Sequence, residues 1–453
     1  MDLRQFISAA DAAGFLVVVD QEVDPFLEIA RMAAELDGRP VLFNRVRGSN
    51  YHVVAGVCSD RRYFGLALGT SPDRLLFRLA DALLAPQPLP AADTAPCQEI
   101  AEPAVDLEAI PFLTHYPEDG GAYATAAVVF IDDPDTGANA SYHRLLRLDR
   151  KRVAARLVER RGTDVAWRKA LSSGRTPSWG RSLPVAICIG LPLHVLLAAS
   201  MAPPPGVYEL TIAQALAPTP VAVCANGLRV PADAEFVLEG RITAQLVAEG
   251  PFVDLTGTYD FVRQQPVIEI DRVTHRRDAL YQALLPGRLE HKLLMGMPRE
   301  PTIFAEVNKV AHCRNVHITP GGASWLHAAV QIDKMAPDDG KRAIEAAFRG
   351  HSSLKHVIVV DGDIDIFDLN DVEWAIATRF QADRDLVVLA DQPSSSLDPS
   401  AKHVPGQKSR SAKMGLDATV NWDGPAGPSD PATYARVGQT RGGKDTSDVA
   451  SPA

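Results

Sequence analysis

The chain has 453 residues, 46% of them hydrophobic, which is too long for one core and is expected to form three domains. Lys plus Arg total 46 against 56 Asp plus Glu, a formal charge of -10 without a long block of one sign, so nucleic acid is not an expected partner. Five scattered cysteines with no CxxC pair argue against a disulfide framework or zinc site and for a reducing cytoplasm; no apolar run reaches the roughly 18 residues that span a membrane, and the N-terminus does not read as a leader.

In chain order, Leu3, Phe6, Ile7 and Ala10 recur at helical spacing before Gly14, and Phe15 to Val19 reads as a strand. Val41 to Val46 and Tyr51 to Val57 read as further strands. Thr70-Ser71-Pro72 precedes Leu75, Leu76, Leu79, Leu83 and Leu84, an N-cap and early proline ahead of an amphipathic helix. The Pro- and Ala-rich stretch from Ala85 to Pro96 closes this small α/β unit, residues 1–96. From Ala124 to Val273 short β-branched runs dominate, at Ala126 to Ile131, Arg144 to Leu148, Val185 to Ile189, Val221 to Ala225 and Val267 to Ile270. Helical patterns at Lys151 to Ala170 and Leu193 to Ala199 interrupt them, so residues 97–286 are predicted to form a barrel or curved sheet with inserted helices. Within 287–396, the apolar run His356 to Val360 feeds a helical pattern at Asn370 to Phe380, which predicts a second α/β unit. Beyond Leu397, Ser, Pro, Gly, Lys and Asp without periodicity predict a partly mobile segment over 397–453. The expected fold class is α/β, of the mixed α+β kind.

Common catalytic motifs are missing: there is no GxGxxG, GxxxxGK[ST] or HExxH, and Asp135-Thr136-Gly137 sits in a string with the composition of a tight turn. Arginine and carboxylates nevertheless stand inside segments that otherwise read as buried. Asn139-Ala-Ser-Tyr-His-Arg144 enters an apolar strand, and Glu249-Gly-Pro-Phe-Val-Asp254 sets two carboxylates around a turn-forming Gly-Pro. Taken singly, the first reads as a solvated strand face and the second as a surface loop.

Together, and in order from about Pro111 to Thr419, such strings resemble the UbiD-type decarboxylases. Asn139-x4-Arg144 resembles that family's Asn-x4-Arg segment; Ala198 to Glu209 resembles its metal-binding loop; Val230 to Gly240 its VPAxAExVLEG strand. Glu249 to Asp254 is similar to EGPxxD/E, Asp371 to Arg379 to the DVxWAxxTR helix, and Lys413 to Thr419 to KxGLDAT. The resemblance implies an N-terminal α/β domain, a central split β-barrel that binds prenylated FMN, and a C-terminal α/β domain that commonly makes a homodimer or higher homo-oligomer.

It also implies a reaction: reversible, non-oxidative decarboxylation of an α,β-unsaturated carboxylic acid through a cycloadduct with prenylated FMN, the cofactor coming from a flavin prenyltransferase. A vinylic carbanion exceeds what any side chain can delocalise, so a cofactor must carry the electrons. By resemblance Arg144, Glu249 and Asp254 form the catalytic triad, with Asp254 as proton donor. An acid with that task needs a raised pKa, which burial favours and a neighbouring arginine opposes. Strict strand alternation puts Asn139 and Arg144 on opposite faces, so a bulge or bend must intervene if both reach one site. The cofactor-binding set implied is Asn139, Ser141, Tyr142, His143, Arg144, Arg160, Arg161, Ala199, Met201, Glu209 and Lys413.

Asn139 and Glu209 resemble two ligands of the family's divalent metal, usually manganese, and the backbone near Ala199 and Met201 resembles a potassium site sharing Glu209. The third metal ligand is normally histidine; here Arg160 or Arg161 takes its place, with Glu159 and His143 as alternative ligands and direct neutralisation of the cofactor phosphate by arginine as another solution. Leu284 to Pro301 resembles branches acting on aliphatic unsaturated acids of isoprenoid or polyketide pathways, aromatic acids being the alternative. The missing histidine motivates a second reading, a flavin-binding relative without activity or a subunit of a multi-component decarboxylase or carboxylase; a carboxylase direction in vivo is a third.

Overall fold

The computed structural model describes residues 1–173, 182–404, 407–422 and 431–434. Three sheets organise it. The first runs Val17–Val23, Val41–Val46, His52–Ala55, Leu280–Gln282, so its last strand comes from far along the chain and pairs in parallel with His52–Ala55. The opening helix Leu3–Ala12 buries the four residues its spacing predicts, Leu3, Phe6, Ile7 and Ala10, and starts on a capping box between Asp2 and Gln5. Ser71-Pro72 opens a 3-10 turn, Pro72–Arg74, that leads into the helix Leu75–Leu84.

The central sheet has nine strands. Eight form a path, Tyr123–Ala124, Leu145–Arg147, Arg152–Ala155, Arg263–His275, Phe236–Glu249, Leu183–Ile189, Val128–Asp133 and Gly137–Tyr142; Ile100–Ala101 pairs beside Arg263–His275. No hydrogen-bonded pairing joins the two ends of the path among the described residues. Instead the chain itself crosses the opening, because Gly137–Tyr142 at one end runs within three residues into Leu145–Arg147 near the other. The seam falls between adjacent residues: His143 N donates to Ala127 O (3.4 Å) on one flank, whereas Arg144 O accepts from Arg156 N (3.1 Å) on the other. The chain thus changes flank between His143 and Arg144, and Arg144 stands where the open sheet parts.

The helix expected over Lys151 to Ala170 begins later. Arg152–Ala155 is a strand paired with Arg263–His275, with Val153, Ala154 and Ala155 fully buried, and the helix spans Gly162–Ser173. The pairing partner lies over a hundred residues away, so periodicity within the segment carried no sign of it. The Asp135 turn is as expected: Asp133 Oδ1 accepts from the backbone of Asp135 (3.0 Å) and Thr136 (2.8 Å) at the hairpin tip.

The third sheet runs His312–Ile318, His327–Asp333, His356–Asp361, Arg410–Asp417, Leu386–Pro393. Val357 and Val359 pack on the face covered by Glu300–Val307 and Asp339–Gly350, while Ile358 and Val360 meet Val372 and Ala375 of Leu369–Arg379. Arg410–Asp417 lies inside this sheet, so the domain extends past residue 396 into the stretch expected to be partly mobile; the positions after 434 lie outside the described residues. All five cysteines are buried and free, and no described helix is long and apolar enough to cross a membrane.

Candidate active site

The strand Gly137–Tyr142 presents Asn139 and Ser141 on one side, and His143 continues that row to the seam. Ser141 Oγ donates to Asn139 Oδ1 (3.2 Å) and lies 3.1 Å from His143 Nε2 and 3.2 Å from Thr163 Oγ1. His143 Nδ1 lies 2.9 Å from Arg156 O; the carbonyl can only accept, so this nitrogen carries the proton, and with the Ser141 proton given to Asn139, Nε2 accepts from Thr163 Oγ1 (3.0 Å). Burial pulls the imidazole pKa down to about 4, which keeps it neutral. Tyr142 faces the other way, into the core shared with the N-terminal helices, and its hydroxyl has no hydrogen-bond partner among the described residues.

Glu209 heads the helix Glu209–Leu216 and is buried against this strand, accepting from Asn139 Nδ2 (2.9 Å) and Ala140 N (2.8 Å). Burial raises its pKa to about 7. No ion pair to a cation is formed by Glu209 among the described residues, so this pocket holds an uncompensated acid whose surroundings, the Asn139 amide and the Ser141 hydroxyl, are oxygen-rich and suit a hard cation. No group of three or more His, Cys, Asp or Glu that could hold a metal occurs among the described residues, so protein side chains alone complete no ligand set. Arg160 and Arg161 are exposed at the start of Gly162–Ser173, with Arg160 N bonded to Asp164 Oδ2 (2.8 Å), and Glu159 is exposed beside them. Gly162 packs against Asn139: a Cβ there would lie 3.4 Å from Asn139 Oδ1. Ala199 and Met201 are buried at the end of Leu193–Ser200.

Arg144, just past the seam, meets Glu249 to Asp254, the segment that reads as a surface loop when taken singly and that the family resemblance joined to Arg144. Glu249 is fully buried, and Arg144 grips it through Nε to Oε1 (2.8 Å) and Nη2 to Oε2 (3.0 Å). Tyr123 OH donates to the same carboxylate (3.2 Å) and accepts from Gly250 N (3.2 Å). Asp254 Oδ2 stands 3.6 Å from Arg144 Nη1, beyond hydrogen-bond length. The guanidinium also lies 4.7 Å from the centre of the Phe252 ring. Arg144, Glu249 and Asp254 are thus brought together.

Two further residues complete the cluster. Asp260 accepts from Arg144 Nη2 (3.1 Å), pairs with Arg263 (2.5 Å) and lies 3.8 Å from Arg156; against the effect of burial, Arg263 and Arg144 hold its carboxyl below the usual range. It reaches the site because Tyr259–Asp260 folds back on Phe252–Val253 as a short hairpin, a pairing signalled in sequence only by turn-forming residues between them. His291, on the helix Leu289–Gly296, accepts from Gly287 N at Nδ1 (3.1 Å), so Nε2 carries its proton; burial lowers its pKa, and the charges of Asp254 and Arg144 both act on it. It lies in the string compared with aliphatic-acid branches, which assigned it no role. Next to it Glu290 is buried and accepts from Gly56 N and Cys58 N (both 3.0 Å), fastening this helix to the N-terminal unit.

Lys413 is not brought to Asn139 or Glu209. Its Nζ donates to Ser352 O (2.8 Å) and Leu354 O (2.5 Å) above the Phe348 ring, inside the C-terminal domain. The lysine on which the charge of Arg161 acts is Lys408, five positions earlier.

Comparison with known proteins agrees with this geometry. Three models of the 3-octaprenyl-4-hydroxybenzoate carboxy-lyase, UbiD, match in order: the N-terminal domain over 7–83, the Rift-related domain over 90–289 and the C-terminal domain over 292–418. The anhydromevalonate phosphate decarboxylase of Methanosarcina mazei is 42% identical over 423 residues, covering 92% of this chain and 96% of that one. The UbiD-class enzyme HmfF of Pelotomaculum thermopropionicum, solved with FMN, superposes with a TM-score of 0.89 at 37% identity, over 96% of this chain and 97% of that one. An evolved dimeric form of HmfF, solved with prenylated FMN, gives a TM-score of 0.84 at 37% identity over 92% and 94%. With all three domains matched in sequence and in three dimensions, this chain belongs to the UbiD family and is a carboxy-lyase.

Proposed function

We propose that this chain decarboxylates an α,β-unsaturated carboxylic acid with prenylated FMN, and that the acid bears a phosphate monoester, as the name of its Methanosarcina relative says of that enzyme's substrate. The observation that carries the reading is the buried Arg144 cluster. Nε and Nη2 of Arg144 are taken by Glu249 and Asp260, whereas Nη1 has only the 3.6 Å approach of Asp254 and is left to bind a substrate carboxylate.

Charge counting supplies the next step. Three guanidiniums, of Arg144, Arg156 and Arg263, face the three carboxylates of Glu249, Asp254 and Asp260. A substrate carboxylate adds a fourth negative charge, which a proton taken up on Asp254 relieves. Asp254 is the most open of the three acids, its side chain 21% exposed against 12% for Asp260 and none for Glu249, and it alone has no hydrogen bond from Arg144. When CO2 leaves, that proton passes from Asp254 to the carbon that lost it. Glu249, held by Tyr123 and Arg144, keeps the guanidinium oriented throughout. Neutral His291, whose Nδ1 is taken by Gly287 N, keeps an Nε2 proton available to donate to a bound acid.

When bound, prenylated FMN supplies the cycloaddition and electron sink that side chains lack. Asn139, Ser141, Arg161 and Glu209, with Ala199 and Met201, would hold it, together with a divalent cation such as manganese and a potassium ion. The uncompensated Glu209 carboxylate supports a cation there. The wider proposal places the enzyme in the cytoplasm as a homo-oligomer supplied by a flavin prenyltransferase; the dimeric form described for the HmfF relative supports the assembly.

Protein produced alongside a flavin prenyltransferase tests the reading by mass spectrometry, metal analysis and CO2 release from anhydromevalonate phosphate. Bound prenylated FMN and release of one CO2 per acid consumed are expected. Flavin-loaded protein that releases no CO2 from that acid would sink the substrate assignment, and protein that retains no flavin would sink the cofactor assignment.

A further inference from the structure

The guanidinium of Arg144 carries its N–H donors in one plane, and two acids divide them. Glu249 takes the side of Nε and Nη2 with both of its oxygens (2.8 and 3.0 Å). The second Nη2 hydrogen points to the outer edge that Nη2 shares with Nη1, and there Asp260 Oδ2 accepts it (3.1 Å). That outer edge is where an incoming carboxylate would otherwise seat both oxygens at once. With Asp260 on it, Nη1 is the nitrogen left for an acid, and Asp254 stands 3.6 Å from it.

Asp260 is held so that it does not yield this place. Its other oxygen, Oδ1, accepts from Phe261 N (2.9 Å) and pairs with Arg263 (2.5 Å), while Arg156 Nε lies 3.8 Å from Oδ2. Its backbone is fixed by pairing with Phe252 across the short hairpin that follows Glu249, and the Phe252 ring itself lies 4.7 Å from the guanidinium. Residues 249–260 therefore give one side chain a forked grip, a ring against its face and an acid across its outer edge.

We propose that Asp260 is a positioning residue for the decarboxylation: acting through Arg144, it closes half of the guanidinium's outer edge and confines the substrate carboxylate to a single-nitrogen contact at Nη1, beside Asp254. The inference rests on the decarboxylase reading. CO2 leaves as a neutral molecule, so a hydrogen bond that stabilises the charge of the bound carboxylate is given up on the way to the transition state. An acid forked onto both Nη1 and Nη2 is bound more tightly and converted more slowly. Held by one nitrogen, it stays loosely bound and next to the acid that returns the proton.

The test compares wild type with Asp260→Asn, whose neutral oxygen gives up Nη2 to an incoming carboxylate, and with Asp260→Ala, which removes the acceptor, all produced with a flavin prenyltransferase. Two quantities are read: the calorimetric Kd for the saturated acid made by reducing the double bond of anhydromevalonate phosphate, which cannot react, and kcat for anhydromevalonate phosphate. Both variants should bind the saturated acid roughly tenfold more tightly, the effect of one charge-assisted hydrogen bond, while kcat falls by a similar factor. An acid present only to balance Arg156 and Arg263 predicts no such split, since a loosened hairpin weakens binding or leaves it as it is. Asp260→Asn keeps the size of the side chain and decides the matter if Asp260→Ala does not fold. Equal or weaker binding in Asp260→Asn, absence of binding to wild type and variant alike included, or tighter binding with kcat kept, would overturn the proposal. Kd is read without turnover, so a wild type that binds the saturated acid but releases no CO2 would fail the decarboxylase reading, while tighter binding in Asp260→Asn would still uphold the restriction on Arg144.

Discussion

Arg144 and Arg379 are both buried guanidiniums held by carboxylates, and both come from strings that draw the eye in the sequence. Arg379 donates from Nη1 to Asp361 (2.8 Å) and Asp363 (3.0 Å) and from Nη2 to Asp363 (2.6 Å), and it is sandwiched by Trp374 and Tyr434, each ring centre 5.3 Å away. Its acids sit at the end of one strand, Asp361 also accepting from Val420 N (2.6 Å), so the cluster ties off one end of the C-terminal sheet. Arg144 instead stands where the central sheet parts, its acids come from both arms of a hairpin, and Nη1 is left without a hydrogen bond. What separates Arg144, the arginine proposed to be catalytic, from Arg379 is an unspent donor at an opening; the density of charge around them is similar.

That comparison predicts opposite outcomes for two substitutions. Glu249→Gln should lower kcat/KM by about a thousandfold or more, roughly 4 kcal/mol, because the orienting grip on Arg144 is weakened where the carboxylate must bind. The guanidinium keeps Asp260 and Asp254, so stability should fall by under about 2 kcal/mol. Arg379→Met should do the reverse: removing the partner of buried acids costs about 3 to 5 kcal/mol in denaturant unfolding, while kcat of the folded fraction stays within about twofold. Loss of turnover in well-folded Arg379→Met protein would erase the distinction.

The parts of this contrast that the sequence carried are those written in local order. Helical spacing at Leu3–Ala12 and Leu369–Arg379, and the paired acids of Glu249 to Asp254 beside a Gly-Pro turn, are short-range features. The missed parts depend on pairings between distant segments. Asp260 enters through a hairpin only two residues deep, and Leu280–Gln282 is a three-residue strand added to a sheet begun over two hundred residues earlier. Arg410–Asp417 lacked a hydrophobic alternation because its buried face carries Lys413, Gly415 and Asp417, which read as solvent-facing. His291 gave no local sign because its meaning lies in which charges the fold brings to it.

Glu290 sharpens the comparison from the side of the helix that bears His291. Burial raises its pKa to about 7 from an ordinary value of 4.5, so between those values the unfolded chain loses the proton that the folded chain keeps. Its contribution to stability is therefore greatest below about pH 4.5 and is lost as pH rises towards 7. Over that interval wild type should lose roughly 3 kcal/mol relative to Glu290→Gln, which cannot ionise, a trend read from denaturant midpoints at several pH values. A difference that stayed flat with pH would mean that the helix is held without a buried proton.

Lys413 stands on the Arg379 side of the contrast, on a smaller scale. Lys413 spends its ammonium on the carbonyls of Ser352 and Leu354, and burial with the charge of Lys408 lowers its pKa to about 8. Lys413→Met should leave those two carbonyls short of a donor and cost about 2 kcal/mol of stability, while flavin retention and KM stay at wild-type values. The methionine still packs on Phe348, which limits the loss. The variant asks whether a lysine already saturated by backbone oxygens can serve a ligand as well. A fall in flavin retention in Lys413→Met, at unchanged stability, would show that those carbonyl contacts give way when the cofactor binds, and would return Lys413 to the cofactor-binding set.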